Sequence, residues 1–409
     1  MITRRRMLTH LSVAPIVLSA CGSTRPRRQA KPKNQFSSLT GFCRDATPIA
    51  ASEYIRRRNK VRTLLERENA SALLCEAGAT QTYFSGGAWY RSERPLLLCI
   101  PRDDDAFWVG PAFEEQTLRE KTVHKEKFLP WQEDQDPYAL VVKAVRPGSR
   151  PIALAPTARS FIHHGLKNAG AATTNGRDIV DECRMVKSPA EVSLLEQANL
   201  ATKAAIEEAK RQTRVGMTEG DVKDLITQAQ REAGLSNVWV LVGFGENAAF
   251  PHGTKKQRAL REEDYILVDT GGELHGYQSD VSRTWSLGEP SKEAQRAWKT
   301  VLEAQLAAAD ALKPGATCGS IDKVARDVIA KSGFGKGYKV FTHRLGHGIG
   351  LEGHEAPYLV RGSDLVLRPG MTMSNEPGIY IPGKFGIRIE DIFAITENGS
   401  RAFGPLVER

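Results

Sequence analysis

Four carboxylates and one imidazole stand out by their settings. Asp269 and Asp280 lie in VDTGGELHGYQSDVSRT, His347 in HRLGHGIGLEGHEAP, Glu376 in NEPGIY and Glu390 in GIRIED. Together they are the ingredients of an oxygen-rich site for two divalent metal ions. A metal pair makes water nucleophilic near neutral pH and clamps both ends of a hydrolytic displacement. Any one of these residues alone reads as an ordinary surface charge. Their joint occurrence, with Gly and Pro punctuating each motif, points to a metallohydrolase.

Spacing gives the first pair a reason to meet. Residues 265–269 have strand composition, Gly271-Gly272 marks a turn, and residues 277–285 read as a returning strand. A hairpin centred between Leu274 and His275 sets Asp269 opposite Asp280, with Cβ atoms about 4.5–5.5 Å apart. Carboxylates so placed can hold metals about 3.5–4 Å apart, one of them bridging. Farther on, Ile387 and Ile389 alternate with Arg388 and Glu390. A strand there buries the isoleucines and turns the charged pair towards the site.

From about residue 187 to the C-terminus these motifs resemble the pita-bread metallopeptidases. That group holds proline aminopeptidase, prolidase, methionine aminopeptidase and creatinase. The resemblance implies that Asp269 and Asp280 bind one metal, that His347 and Glu376 complete the second, and that Asp280 and Glu390 bridge. It therefore implies two divalent ions as cofactors. One nitrogen among hard carboxylate oxygens favours Mn, with Co or Zn able to substitute. Creatinase-like members have lost the metal ligands, whereas this chain has all five.

Nine histidines refine the expectation. His124, His163, His164 and His275 read as ordinary surface or core residues, and His10 falls in the leader. His252, in AAFPHGT, matches the family's catalytic PHG-type motif. His343 precedes His347 by four residues, and His354 follows it by seven. In Xaa-Pro-cleaving members, equivalents of all three line the pocket around the scissile bond. By that resemblance His252 and His354 donate to the carbonyl oxygen where charge develops, and His343 and Arg388 help hold the proline end. Glu376 doubles as the proton acceptor that serves the leaving nitrogen. Methionine aminopeptidases usually lack this combination and a long N-terminal domain. The expected activity is an Xaa-Pro aminopeptidase, acting on peptides with proline second. A dipeptide-only prolidase is the alternative, and a lyase or metal-binding protein on the same scaffold is the alternative of another class.

Other motifs are decoys. GFGENA imitates a dinucleotide fingerprint, but Pro251 forbids the helix that motif needs. HGIG has no P-loop Lys-Ser/Thr pair, and neither a GxSxG elbow nor HExxH occurs.

The elements that must position the site fall into two expected domains, an α+β arrangement overall. Residues 49–183 resemble a creatinase-type α/β N-terminal domain. It opens with a helix over 53–69 and has strands at 72–75 and 96–100. Residues 186–409 form the pita-bread catalytic domain. Ser188-Pro189-Ala190-Glu191 is a capping box with Pro at the first helical position. Leu195, Ala198, Ala201, Ala205 and Ala209 then keep one apolar stripe. A second helix runs from cap Thr218 to Gly234. The pattern recurs at 291–312 and 320–333, the duplication a two-halved metal site needs. The resemblance also implies a dimer or larger assembly.

The N-terminus carries a separate message. Thr3-Arg4-Arg5-Arg6-Met7-Leu8 resembles a twin-arginine export signal, and the apolar stretch to Ala20 is too short to span a bilayer. Leu18-Ser19-Ala20-Cys21 resembles a bacterial lipobox. Residues 1–20 are then a signal, and residues 21–48 a tether lipid-anchored through Cys21. The place expected is the cell envelope, periplasmic and at the outer membrane. Arg4, Arg5, Arg6, Arg25, Arg27, Arg28, Lys31 and Lys33 face no acid within residues 1–33, so nearly all of the net +9 belongs to leader and tether. That excludes a nucleic-acid-binding face as the source of the basic pI and suits anionic lipid headgroups. With Cys21 lipidated five cysteines remain, an odd number without metal spacing. Cys75 and Cys99 read as buried strand residues.

Overall fold

The computed structural model describes residues 35–123 and 125–408. The leader, Cys21, most of the tether and His124 lie outside the described residues. From Phe36 onward the chain forms one unit.

The N-terminal portion is a mixed six-stranded sheet flanked by helices. Its strands are β1 (Ala72–Glu76), β2 (Leu97–Pro101), β3 (Phe107–Pro111), β4 (Lys127–Trp131), β5 (Ile152–Leu154) and β6 (Thr173–Asn175), in the order β4-β3-β2-β1-β5-β6. The helices are α1 (Ala51–Arg67), α2 (Ala79–Ser85), α3 (Glu115–Lys121), α4 (Pro137–Val145), α5 (Ser160–Asn168) and α6 (Arg177–Arg184). β1 and β2 are buried on both faces, so their sequences are continuous apolar runs. Cys75 and Cys99 are fully buried there and unbridged, like Cys43, Cys183 and Cys318. Burial pushes every one of these thiols up.

The C-terminal portion repeats one plan twice. α7 (Pro189–Gln212) and α8 (Glu219–Glu232) pack on a sheet of β7 (Ser236–Phe244), β8 (Tyr265–Leu274), β9 (Tyr277–Gln278) and β10 (Val281–Ser286). α9 (Lys292–Ala311) and α10 (Cys318–Lys331) pack on β11 (Gly346–Gly348), β12 (Glu355–Leu359), β13 (Thr372–Asn375), β14 (Gly378–Ile381), β15 (Phe385–Arg388), β16 (Asp391–Ile395) and β17 (Ser400–Ala402). The second half holds a five-stranded sheet, β12-β11-β13-β16-β17, and the hairpin β14-β15. Both capping boxes form, Ser188 with Glu191 and Thr218 with Asp221. Each cap saves about 1 kcal/mol that alanine would lose. The expected α7 stripe, Leu195 to Ala209, has no exposed surface. The α+β architecture, with two helix pairs bracketing a shared centre, is present.

Four local expectations change. Phe36, Leu39 and Cys43, expected in the tether, are buried in a core shared with Leu195 and Ala198 of α7 and Ala229 of α8. Gly271 and Gly272 lie inside β8, not at the turn. The turn is His275 at φ 50° and Gly276 at φ 90°, the left-handed pair that a tight hairpin requires. Asp269 therefore faces Ser282, not Asp280. Side chains alternate with period two, and the register moves by two residues, so Asp280 keeps the expected face. α10 starts earlier than residue 320, because Thr317 accepts from Ser320 N and is the cap. Finally, Ile389 and Glu390 sit between β15 and β16, not within a strand. Even so, Ile387 and Ile389 are fully buried.

Candidate metal centre

The five expected residues converge between the two halves. Three overlapping groups place donor atoms within 4.8 Å of one another: Asp269, Asp280 and Glu390; His347, Glu376 and Glu390; and Asp280, His347 and His354. Asp269 comes from β8, and Asp280 from the break between β9 and β10. His347 is central in β11, Glu376 directly follows β13, and Glu390 links β15 to β16. Gly346 lets β11 approach this closely, since a Cβ there would lie 1.9 Å from Ser374 O.

Hydrogen bonds orient the donors. His347 Nδ1 lies 3.1 Å from Gly348 O, a carbonyl that can only accept, so Nδ1 carries the proton. Nε2 faces Glu376 Oε1 at 3.1 Å and Asp280 Oδ2 at 3.8 Å. Either a proton on that ring nitrogen or a cation must stand between it and the carboxylates. Glu390 repeats the message: Oε2 accepts from Ser282 Oγ at 2.7 Å, while Oε1 is buried without a partner. Burial, then Glu390, Asp269 and Glu376 around it, pushes the Asp280 carboxyl well above the usual range. Burial, then Glu376 and Asp269, does the same to Glu390. Glu376 goes the other way. Burial opposes its ionisation, but the hydrogen bond and charge of His347, then His343 and Arg388, hold it down to about 2. Crowded buried carboxylates with an orphaned oxygen fit divalent ions by their own chemistry.

The remaining expected residues divide into two sets. His252, His343, His354 and Arg388 line the same cavity of about 910 Å³ as the five donors. His354 stacks on His347, with ring centroids 3.8 Å apart. Burial, then the neighbouring His347, lowers His354 to about 4. Burial also lowers His343 to about 4, against the pull of Glu376. Both rings are therefore neutral at pH 7. His343 is already engaged, with Nδ1 donating to Arg344 O and Nε2 accepting from Tyr380 OH, each at 2.8 Å. His163 and His164 are exposed. His275 occupies the hairpin turn, its Nε2 lying 3.3 Å from Ala46 O.

Residues not singled out in the sequence hold the donors in place. Ser282 Oγ accepts from Arg388 Nε at 2.7 Å and lies 3.1 Å from Asp269 Oδ1. Asn199 of α7 accepts from Asp280 N at 3.2 Å. Ser374 Oγ accepts from His347 N and donates to Glu376 Oε1. Asp391 is fully buried, paired with Lys203 and Arg283, and Arg283 also donates to Glu390 O at 2.7 Å. Correct hairpin register would have exposed Ser282. The others carry no local signal.

Comparison with known proteins follows the same lines. Residues 193–397 match metallopeptidase family M24, and residues 57–186 match the creatinase/prolidase N-terminal domain. A probable dipeptidase, PepE, of Mycobacterium tuberculosis is 36% identical over 357 residues, covering 86% of this chain and 94% of that protein. The Xaa-Pro dipeptidase of Lactobacillus helveticus is 32% identical over 355 residues, covering 84% and 95%. The crystal structure of dipeptidase PepE from Mycobacterium ulcerans is similar with a TM-score of 0.84 at 34% identity, covering 88% of this chain and 97% of that one.

Proposed function

This chain belongs to metallopeptidase family M24, and we propose that it cleaves the Xaa-Pro bond at the N-terminus of short peptides with two divalent metal ions bound. The observation that carries the reading is the convergence of the three donor groups within 4.8 Å. Asp269, Asp280 and Glu390 would hold one ion; His347, Glu376, Glu390 and Asp280 the other. When bound, the ions supply Lewis acidity and an acidified water. The oxygen-rich donor set supports Mn, with Co and Zn as substitutes.

The chain's own groups do the rest. Glu376, held ionised, can take a proton and pass it to the leaving nitrogen. His354 and His252 open on the cavity and can donate to the scissile carbonyl oxygen. A neutral His354 adds no positive charge beside the metals. Arg388, with all three nitrogens engaged, holds Asp269, Ser282 and Tyr380 in place. A lyase or bare binding protein on this scaffold finds no support among the named relatives, which are peptidases.

Two readings of substrate length each have a support. The main cavity shares Lys223, Val240, Leu241 and His252 with a second hollow of about 390 Å³. That continuation favours an aminopeptidase taking longer peptides. The names of the relatives favour a dipeptidase. Mn-loaded protein should be given Xaa-Pro and Xaa-Pro-Yaa peptides. Cleavage of both supports the aminopeptidase, and cleavage of dipeptides alone the prolidase. Cleavage of neither overturns the proline assignment.

We also propose export and lipid anchoring through Cys21, supported by the twin arginines and the lipobox. Cys21→Ser should move the protein from the membrane to the soluble envelope fraction. Wild-type protein found wholly in cytosol would sink this.

A further inference from the structure

His354 and its neighbour Glu355 point opposite ways at the start of β12. His354 is exposed in the cavity, whereas Glu355 is buried. The Glu355 carboxylate is clamped by two cations that belong to the junction with the N-terminal portion. Lys187 Nζ donates to Oε1 at 2.7 Å, and Arg184, the last residue of α6, pairs with Oε2. The clamp is buried, with the side chains of Lys187, Glu355 and Arg184 exposed by 1%, 7% and 8%. Arg184 is held in turn by Thr80 Oγ1 of α2 at 3.1 Å and by Glu352 at 2.9 Å. Lys187 N donates to Gly370 O at 2.9 Å, so the connecting segment is itself fixed to the catalytic half.

The loop between His347 and His354 closes around the same carboxylate. Glu352 N lies 3.5 Å from Glu355 Oε2, and a Cβ on Gly350 would come 2.5 Å from Glu355 Oε1. Leu351 packs against the N-terminal core. The backbone that aims His354 is thus gripped from behind by the other domain. Side chains one residue apart on a strand share a backbone and face opposite sides. Fixing one fixes the direction of the other.

We propose that Glu355 is the positioning residue that holds His354 against the reacting carbonyl, with Arg184 and Lys187 carrying the grip of the N-terminal domain. The proposal rests on the peptidase reading for its kinetic consequence. Glu355 touches neither substrate nor metal in it. A buried ion cluster of this kind contributes specificity of geometry more than net stability. A displacement of about 1 Å at such a group can cost about a hundredfold in rate.

The test is a double-mutant cycle on metal-loaded full-length protein: wild type, Glu355→Gln, His354→Ala and the double variant, with Lys187→Gln as a milder lesion. kcat and KM on an Xaa-Pro peptide are measured beside melting temperature and bound metal. Independently of activity, the rate of His354 modification by diethyl pyrocarbonate is read by peptide mass spectrometry, with exposed His164 as internal control. Glu355→Gln should lower kcat by about tenfold to a hundredfold, leave KM within about threefold, and change His354 labelling but not His164 labelling. In the His354→Ala background it should add less than about a twofold loss. Equal losses in both backgrounds would mean a general structural role and overturn the proposal, as would unchanged kcat or unchanged His354 labelling. If Glu355→Gln does not fold, Lys187→Gln decides by the same cycle. If wild-type protein cleaves no Xaa-Pro peptide, the peptidase reading fails while the labelling still judges the clamp.

Discussion

Arg388 Nη2 meets Asp269 Oδ2 at 2.5 Å inside the site. The guanidinium is 3% exposed at the side chain, and it fixes Asp269 through Oδ2, while Oδ1 lies 3.1 Å from Ser282 Oγ. Arg388→Met leaves the half-buried Asp269 carboxylate without its partner, which costs on the order of 3 kcal/mol at most. Metal-free variant should unfold at correspondingly lower denaturant, and metal retention should fall in elemental analysis. Stability and metal content equal to wild type would contradict this role.

Metal loading should release protons. Asp280 and Glu390 have carboxyls raised well above their usual range, chiefly by burial, then by Glu390 and Asp269 around Asp280 and by Glu376 and Asp269 around Glu390. Below those raised values the metal-free site holds protons that an ion must displace. Affinity should therefore rise with pH above the ordinary carboxylate range. Calorimetry in two buffers of different ionisation enthalpy reads the release directly, and Asp280→Asn should diminish it. Heats independent of buffer would refute the prediction.

Much of this centre was legible because its ligands sit in short, punctuated motifs. The hairpin shows what survives an imperfect reading. The turn fell at His275-Gly276, one position later than expected, yet a shift of two in register kept Asp269 and Asp280 on one face. A shift of one would have separated them. Asn199 and Asp391 were not legible as parts of the site, because each meets its partner across more than eighty residues. The order β4-β3-β2-β1-β5-β6 was also hidden. β5 and β6 are three residues each, too short for periodicity to speak.

The two lowered histidines imply an acid limit. His343 and His354 are held near 4, by burial first, against about 6.5 unfolded. Between those values the unfolded chain binds more protons. The stability these rings contribute is complete above about pH 6.5 and is lost as pH falls towards 4. For the half-buried His343 the loss is on the order of 3 kcal/mol at most. In metal-loaded protein, where the carboxylates are engaged, His343→Gln should flatten the melting temperature between pH 4 and 6.5. A slope identical to wild type would remove His343 from the account.

Lys223 offers a way to separate the two substrate lengths. It sits exposed on α8 and lines both the metal cavity and the hollow beyond His252, where Lys255 also lies. A peptide longer than Xaa-Pro that runs past His252 brings its C-terminal carboxylate towards these two cations, whereas a dipeptide ends before them. Exposed ion pairs contribute about 0.2–1 kcal/mol each. Reversing one charge, Lys223→Glu, should therefore reduce kcat/KM for Xaa-Pro-Yaa by about threefold to tenfold through KM. The effect should shrink as salt is raised, because these groups are solvent-exposed. Cleavage of Xaa-Pro should hardly change. An equal loss on both substrates would place Lys223 in the general shape of the cleft, and no loss on either would close the hollow as a route for peptide.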